Sequence, residues 1–86
     1  MKLEFMGLSD GKIYAIRPGM KVKTICSIPD ENWKTQLAKG YANIPEDTEL
    51  TIIDFLHNCY GNYLKVMYNG HIYYIDPTIV KYINDN

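Results

Sequence analysis

The fold is decided by Ile44–Ile83, IPEDTELTIIDFLHNCYGNYLKVMYNGHIYYIDPTIVKYI. β-Branched and aromatic residues fall there in short runs, and Pro, Gly, Asn or Asp closes each run. That punctuation marks antiparallel strands joined by turns. Pro45-Glu46-Asp47-Thr48 opens as a turn. Glu49–Leu56 then reads as a strand with Leu50, Ile52 and Leu56 on one face. His57–Asn62 reads as a polar connection. Tyr63–Tyr68 and His71–Ile75 flank Asn69-Gly70, the strongest short hairpin signal, because both corners of that turn need positive φ. Asp76-Pro77-Thr78 breaks the run, and Val80–Ile83 forms a last short strand, with residues 84–86 as a frayed tail.

Upstream, Lys2–Met6 and Lys12–Arg17 are short β-prone runs around the turn Ser9-Asp10-Gly11. Pro18-Gly19 sets another turn, since Pro fixes φ at the first corner and Gly accepts positive φ at the second. Lys21–Cys26 alternates as a half-buried strand. One segment reads as helical, from about Asp30 to Lys39. Ser27 acts as its N-cap, Asp30 and Glu31 suit its positive end, Trp33 and Leu37 share a face, and Gly40 ends it.

The turn-and-strand pattern of residues 41–83 resembles a Src-homology-3-like barrel, a fold also common in bacterial and phage proteins. Pro45–Leu50 resembles its diverging turn, His57–Asn62 its variable loop, Asn69-Gly70 its distal hairpin, and Asp76–Val80 the 3₁₀ turn before its last strand. The resemblance implies a mostly-β, five-stranded closed barrel with Val22–Cys26 as first strand and the short helix inserted in the long first loop. Residues 1–86 then make one domain: a hairpin extension at 1–19, the barrel at 20–83 and the tail at 84–86. In the family, peptide-binding members grip Pro-rich ligands with a Trp, a Pro and a Tyr. Here Tyr63, Asp76 and Ile79 stand at those places, so the Pro-rich ligand does not carry over.

Composition narrows the function. The chain has 86 residues, 47% of them apolar and 22% charged, which is globular and not disordered. Its formal net charge of −1 argues against a protein built to coat duplex nucleic acid. No apolar run spans a bilayer and the N-terminus has no signal-peptide core, so a cytoplasmic protein is expected. Cys26 and Cys59 fit no metal spacing, and a disulfide between them is disfavoured in that compartment. His57, Cys59 and His71 supply too few ligands for zinc. A Cys–His nucleophile with Asp54 nearby lacks a recognised catalytic spacing. The expectation is a non-enzyme without cofactor or metal.

Eight of the eleven aromatic residues are Tyr. One reading has Tyr60, Tyr63, Tyr68, Tyr73, Tyr74 and Tyr82 plugging and rimming the barrel. The other makes some of them a binding face, because adjacent strand residues point to opposite sides and Tyr73 and Tyr74 cannot both be interior. On that second reading Tyr60, Tyr63 and Tyr73 are the partner-binding residues. Trp33 is a further anchor, or else it caps one end of the barrel. Lys21, Lys23, Lys65 and Lys81 lie on strands, either as ordinary solvent-facing positions or as a basic stripe for single-stranded nucleic acid. The functional expectation is a small accessory or inhibitor module of bacterial or phage type that binds a protein partner, itself a monomer or weak oligomer. The alternative is a nucleic-acid-binding barrel.

Overall fold

A computed structural model of the chain describes residues 4–28, 38–39, 43–59 and 61–85. Strand β1 (Glu4–Gly7) pairs antiparallel with β2 (Ile13–Ile16) as a hairpin. The loop between them is fixed by Leu8 N donating to Lys12 O (3.1 Å), Gly11 N to Leu8 O (3.0 Å) and Lys12 N to Asp10 Oδ1 (2.9 Å). Arg17–Met20 then turns tightly: Met20 N donates to Arg17 O (3.3 Å) and Gly19 sits at φ 94°, the second-corner geometry that Pro18-Gly19 favours.

The remaining strands form one six-stranded sheet. β3 is Met20–Thr24, β4 Ala38–Lys39, β5 Glu49–Asn58, β6 Gly61–Tyr68, β7 His71–Ile75 and β8 Val80–Asp85. Their spatial order is β4-β7-β6-β5-β3-β8, and every pairing is antiparallel. Asn69 (φ 53°) and Gly70 (φ 78°) make the tight turn between β6 and β7. A 3₁₀ turn, Pro77–Ile79, leads into β8. Asp76 caps it, its Oδ1 accepting from Thr78 N (2.9 Å) and Thr78 Oγ1 (2.8 Å).

Four expectations need correction. The sheet is open, not a closed barrel: β4 and β8 are its edges. β4 is only two residues long, and β8 carries an irregularity opposite Lys21/Val22, so neither edge offers a straight ladder to the other. His57–Asn62 is not a polar loop. β5 and β6 stay paired through His57↔Asn62 to Asn58↔Gly61, so most of that stretch is strand. Residues 84 and 85 are not frayed, because Lys21 and Met20 pair with them. The expected helix falls on residues outside those described, except Ala38 and Lys39, and these two pair with β7 as strand.

The core is aliphatic. Met6, Leu8, Ile16, Met20, Val22, Ile28, Ile44, Leu50, Ile52, Leu64, Val66, Ile75, Ile79 and Val80 are all buried in one cluster. The expected tyrosine plug is absent from that cluster. Tyr14, Tyr68, Tyr73 and Tyr82 are partly buried and pack against its margin. Met6, Leu8 and Ile16 make the hairpin part of this core, so it is not a separable extension.

One buried polar side chain stands out among the described residues, Thr24. Its hydroxyl donates to Pro45 O (2.9 Å) and accepts from Thr48 N (2.9 Å). Its backbone N donates to Thr48 O (3.0 Å) and its carbonyl accepts from Asp47 N (2.9 Å). β3 is thereby tied to the turn that feeds β5.

Candidate interaction faces

Residues directly opposite on an antiparallel ladder project to the same face, so the register sorts every side chain of the large sheet. Ile52↔Val66, Phe55↔Leu64, Leu64↔Ile75, Val66↔Tyr73 and Val22↔Tyr82 belong to the core face. The register shift between Ile52 and Asp54 lets β5 keep both Ile52 and Phe55 on that side. The opposite face carries Lys23↔Lys81, Lys23↔Glu49, Lys21↔Thr51, Thr51↔Met67, Met67↔Ile72, Asp54↔Lys65, Lys65↔Tyr74 and Leu56↔Tyr63.

This sorting separates the tyrosines expected to act together. Tyr63 and Tyr73 project to opposite faces, because Leu64, the neighbour of Tyr63, shares the core face with Tyr73. Tyr63 is buried, at 8% exposure, and Tyr73 packs against the core. Neither stands out as a free contact. Replacing either is expected to lower stability, contrary to the outcome expected of a surface residue. Tyr60 and Trp33 lie outside the described residues. Of the pair Tyr73 and Tyr74, only Tyr74 projects away from the core.

The lysines fare differently. Lys21, Lys23, Lys65 and Lys81 all share the outer face, as the alternation of β3, β6 and β8 required. Lys23 lies directly across from Lys81, but acids are interleaved with the stripe. Lys21 Nζ is 3.7 Å from Glu49 Oε2 and 3.2 Å from Thr51 Oγ1, and Lys23 Nζ is 3.8 Å from Asp47 Oδ1. Asp54 stands opposite Lys65. The stripe exists and is largely neutralised.

Exposed apolar side chains mark two places that the tyrosine-centred reading missed. Met67 (41% exposed) and Ile72 (48%) oppose each other beside the Asn69-Gly70 turn. On the hairpin, Phe5 (62%) and Ile13 (66%) share the face turned from the core. There each large side chain opposes a small residue, Phe5↔Ala15 and Gly7↔Ile13. A Cβ on Gly7 would lie 3.5 Å from Ile13 Cδ1, which shows how closely the Ile13 side chain lies over that strand. The alternation in EFMG and IYAI carried this signal, since Met6 and Ile16 had to face the core and Phe5 and Ile13 could not.

At the far end of the hairpin, Tyr14 Oη donates to Asp10 Oδ2 (2.6 Å), and its ring lies on Tyr82 with centroids 5.1 Å apart. The bond from Tyr14, with a second from Lys12 N, holds the Asp10 carboxyl below its ordinary pKa. The same bond, then desolvation, raises the Tyr14 phenol. The pair acts as a latch between β2 and the loop before it.

Among the described residues the chemistry-bearing side chains do not assemble. His57 Nδ1 contacts the Asn62 side chain, His71 sits beside Tyr73, and Cys26 and Cys59 are free thiols. Among the described residues no three His, Cys, Asp or Glu side chains converge as a metal site, and no helix is long and apolar enough to cross a membrane. Compared with protein-family models, curated proteins and solved structures, the chain matches none of them.

Proposed function

We propose that this chain is a small, non-catalytic protein-binding module with Src-homology-3-like strand connectivity in an open sheet. Support for the connectivity is the run β7-β6-β5-β3-β8, with a 3₁₀ turn immediately before the last strand. The single observation that carries the function is the grouping of exposed apolar side chains. Phe5 with Ile13, and Met67 with Ile72, form two same-face pairs on strands, whereas solitary exposed hydrophobics such as Ile25 need no explanation. Paired apolar side chains on rigid strands, bordered by Lys65 and Tyr74 on one face, have the make-up of a small contact patch with a polar rim.

The test is affinity capture with the intact chain and two double variants, Phe5→Thr/Ile13→Thr and Met67→Thr/Ile72→Thr. At least one variant is expected to lose a protein partner while its free energy of unfolding in urea stays within about 0.5 kcal/mol of the parent. Capture that survives both variants unchanged would sink the proposal. The second reading, single-stranded nucleic acid on the lysine face, is favoured by the apposition of Lys23 and Lys81, with Lys21 and Lys65 on the same face. It ranks lower because Glu49, Asp47 and Asp54 occupy the same stripe. Its signature is binding that falls steeply and log-linearly with salt and that Lys23→Gln/Lys81→Gln weakens.

A further inference from the structure

Asparagine followed by glycine is among the least durable pairs in a chain. Glycine has no side chain to shield its amide, whose nitrogen can attack the asparagine carboxamide. Asn69-Gly70 is the one such pair in this sequence, and Asp10-Gly11 is its acidic counterpart. Both lie in exposed hairpin turns, so local sequence does not rank them. Their hydrogen bonds do. Gly11 N donates to Leu8 O (3.0 Å), while the Asp10 carboxyl accepts from Lys12 N (2.9 Å) and Tyr14 Oη (2.6 Å). Those bonds, that of Tyr14 first, hold the carboxyl below its ordinary pKa, and a carboxylate resists attack by an amide. At the β6–β7 turn neither Gly70 N nor the Asn69 carboxamide bonds to any described residue. A Cβ built on Gly70 would meet no atom within 4 Å, so nothing overhangs the turn to block ring closure.

We propose that Asn69 is a site of spontaneous deamidation, and that its isoaspartyl product dislocates the exposed pair Met67 and Ile72. The Gly70 amide gives its proton to solvent base, and its nitrogen bonds to Asn69 Cγ. The Cγ–Nδ2 bond breaks, and Nδ2 leaves as ammonia with a proton from water. Water then opens the cyclic imide at one carbonyl or the other, giving aspartate or isoaspartate. The sum is one water consumed and one ammonia released, with nothing oxidised or reduced. Closure swings the Asn69 side chain over Gly70 N, which local opening of the turn permits while the sheet behind it stays paired. Isoaspartate routes the main chain through the side-chain methylene and adds an atom between Tyr68 and His71. The short turn there fixes the pairings Tyr68↔His71 and Met67↔Ile72, so both shift. A negative charge also appears beside the apolar pair. The inference stands whatever that patch binds.

The test ages the intact chain in mildly alkaline buffer and follows it by isoelectric focusing and peptide mapping. An acidic product is expected, mapped to residue 69, at a rate within about tenfold of the chain unfolded in guanidinium chloride. Asn69→Gly keeps a turn that glycine accepts and should lose that product. Asp10→Asn supplies an internal comparison, because it puts the same dipeptide in the other turn. Position 69 should convert about fivefold ahead of position 10 there, the scale of the one hydrogen bond at Gly11 N. In the isoaspartyl product the amide resonances of residues 67–72 should move, and those of residues 4–8 should not. Should either variant fail to fold, mapping of the parent chain decides alone. A native rate below the stated range overturns the proposal, as do equal or reversed rates at the two positions. An isoaspartyl product with unmoved resonances at 67–72 overturns the dislocation of the pair.

Discussion

At the residue scale, two polar contacts make sharp predictions. Thr24→Val keeps the shape of the side chain but leaves Thr48 N–H without that acceptor in a part-buried site. The expected cost is about 1–3 kcal/mol, read as a lower urea midpoint with an unchanged slope. The Asp10–Tyr14 latch predicts a pH dependence of two signs. Asp10 is depressed in the folded state, so its contribution is present above about pH 4 and fades as pH falls through the folded value. Tyr14 is raised, so its contribution is present below about pH 10 and fades as pH rises through the folded value. Ultraviolet titration should show a late-ionising phenol, and Asp10→Asn should bring it earlier. A phenol that titrates alike in both proteins would mean the bond does not persist in solution.

At the element scale, the hairpin and the β6–β7 turn carry the predictions. Leu8→Ala removes a side chain that the hairpin contributes to the common core, and should cost about 2–5 kcal/mol. Were the hairpin merely an appendage, the loss would be negligible. Gly70→Ala meets no atom within 4 Å, yet it places a Cβ at φ 78°, so strain alone should cost about 1–2 kcal/mol. Most strands were legible in the sequence, because Asn69-Gly70, Pro18-Gly19 and Asp76-Pro77 are local signals whose meaning does not depend on the rest of the chain. Sequence alone ends β5 and β6 short of the 57–62 connection, since His57 and Asn62 look like loop residues and become strand only by facing each other. Ala38 and Lys39 fall at the end of the expected helix because Gly40 is the first stop signal after Trp33 and Leu37, and pairing with Ile75 and Tyr74 makes these two residues strand. The lysine face followed from alternation alone. The positions of Tyr63 and Tyr73 on opposite faces required the register of β6 against β7, which no single strand discloses.

At the scale of the whole molecule, β3 is the keystone of the sheet, with β5 on one side and β8 on the other. Truncation after Ile79 should therefore unfold the chain. It strips Val80 and Tyr82 from the core and leaves β3 with an empty ladder on one side. A truncated protein with a native circular dichroism spectrum would contradict that view. Such non-local pairing also predicts folding slower than that of helical domains of equal length, measurable by stopped flow.

The same pairing bears on how the chain is made. Thr24 meets Val80 and Met20 meets Asp85, so a strand translated early waits for one translated late. Until the ribosome has released that late segment, Met20, Val22 and the hairpin residues Met6, Leu8 and Ile16 remain an uncovered greasy surface. A nascent-chain arrest series should then show force or protease resistance arising in a single step, once residue 85 has cleared the exit tunnel.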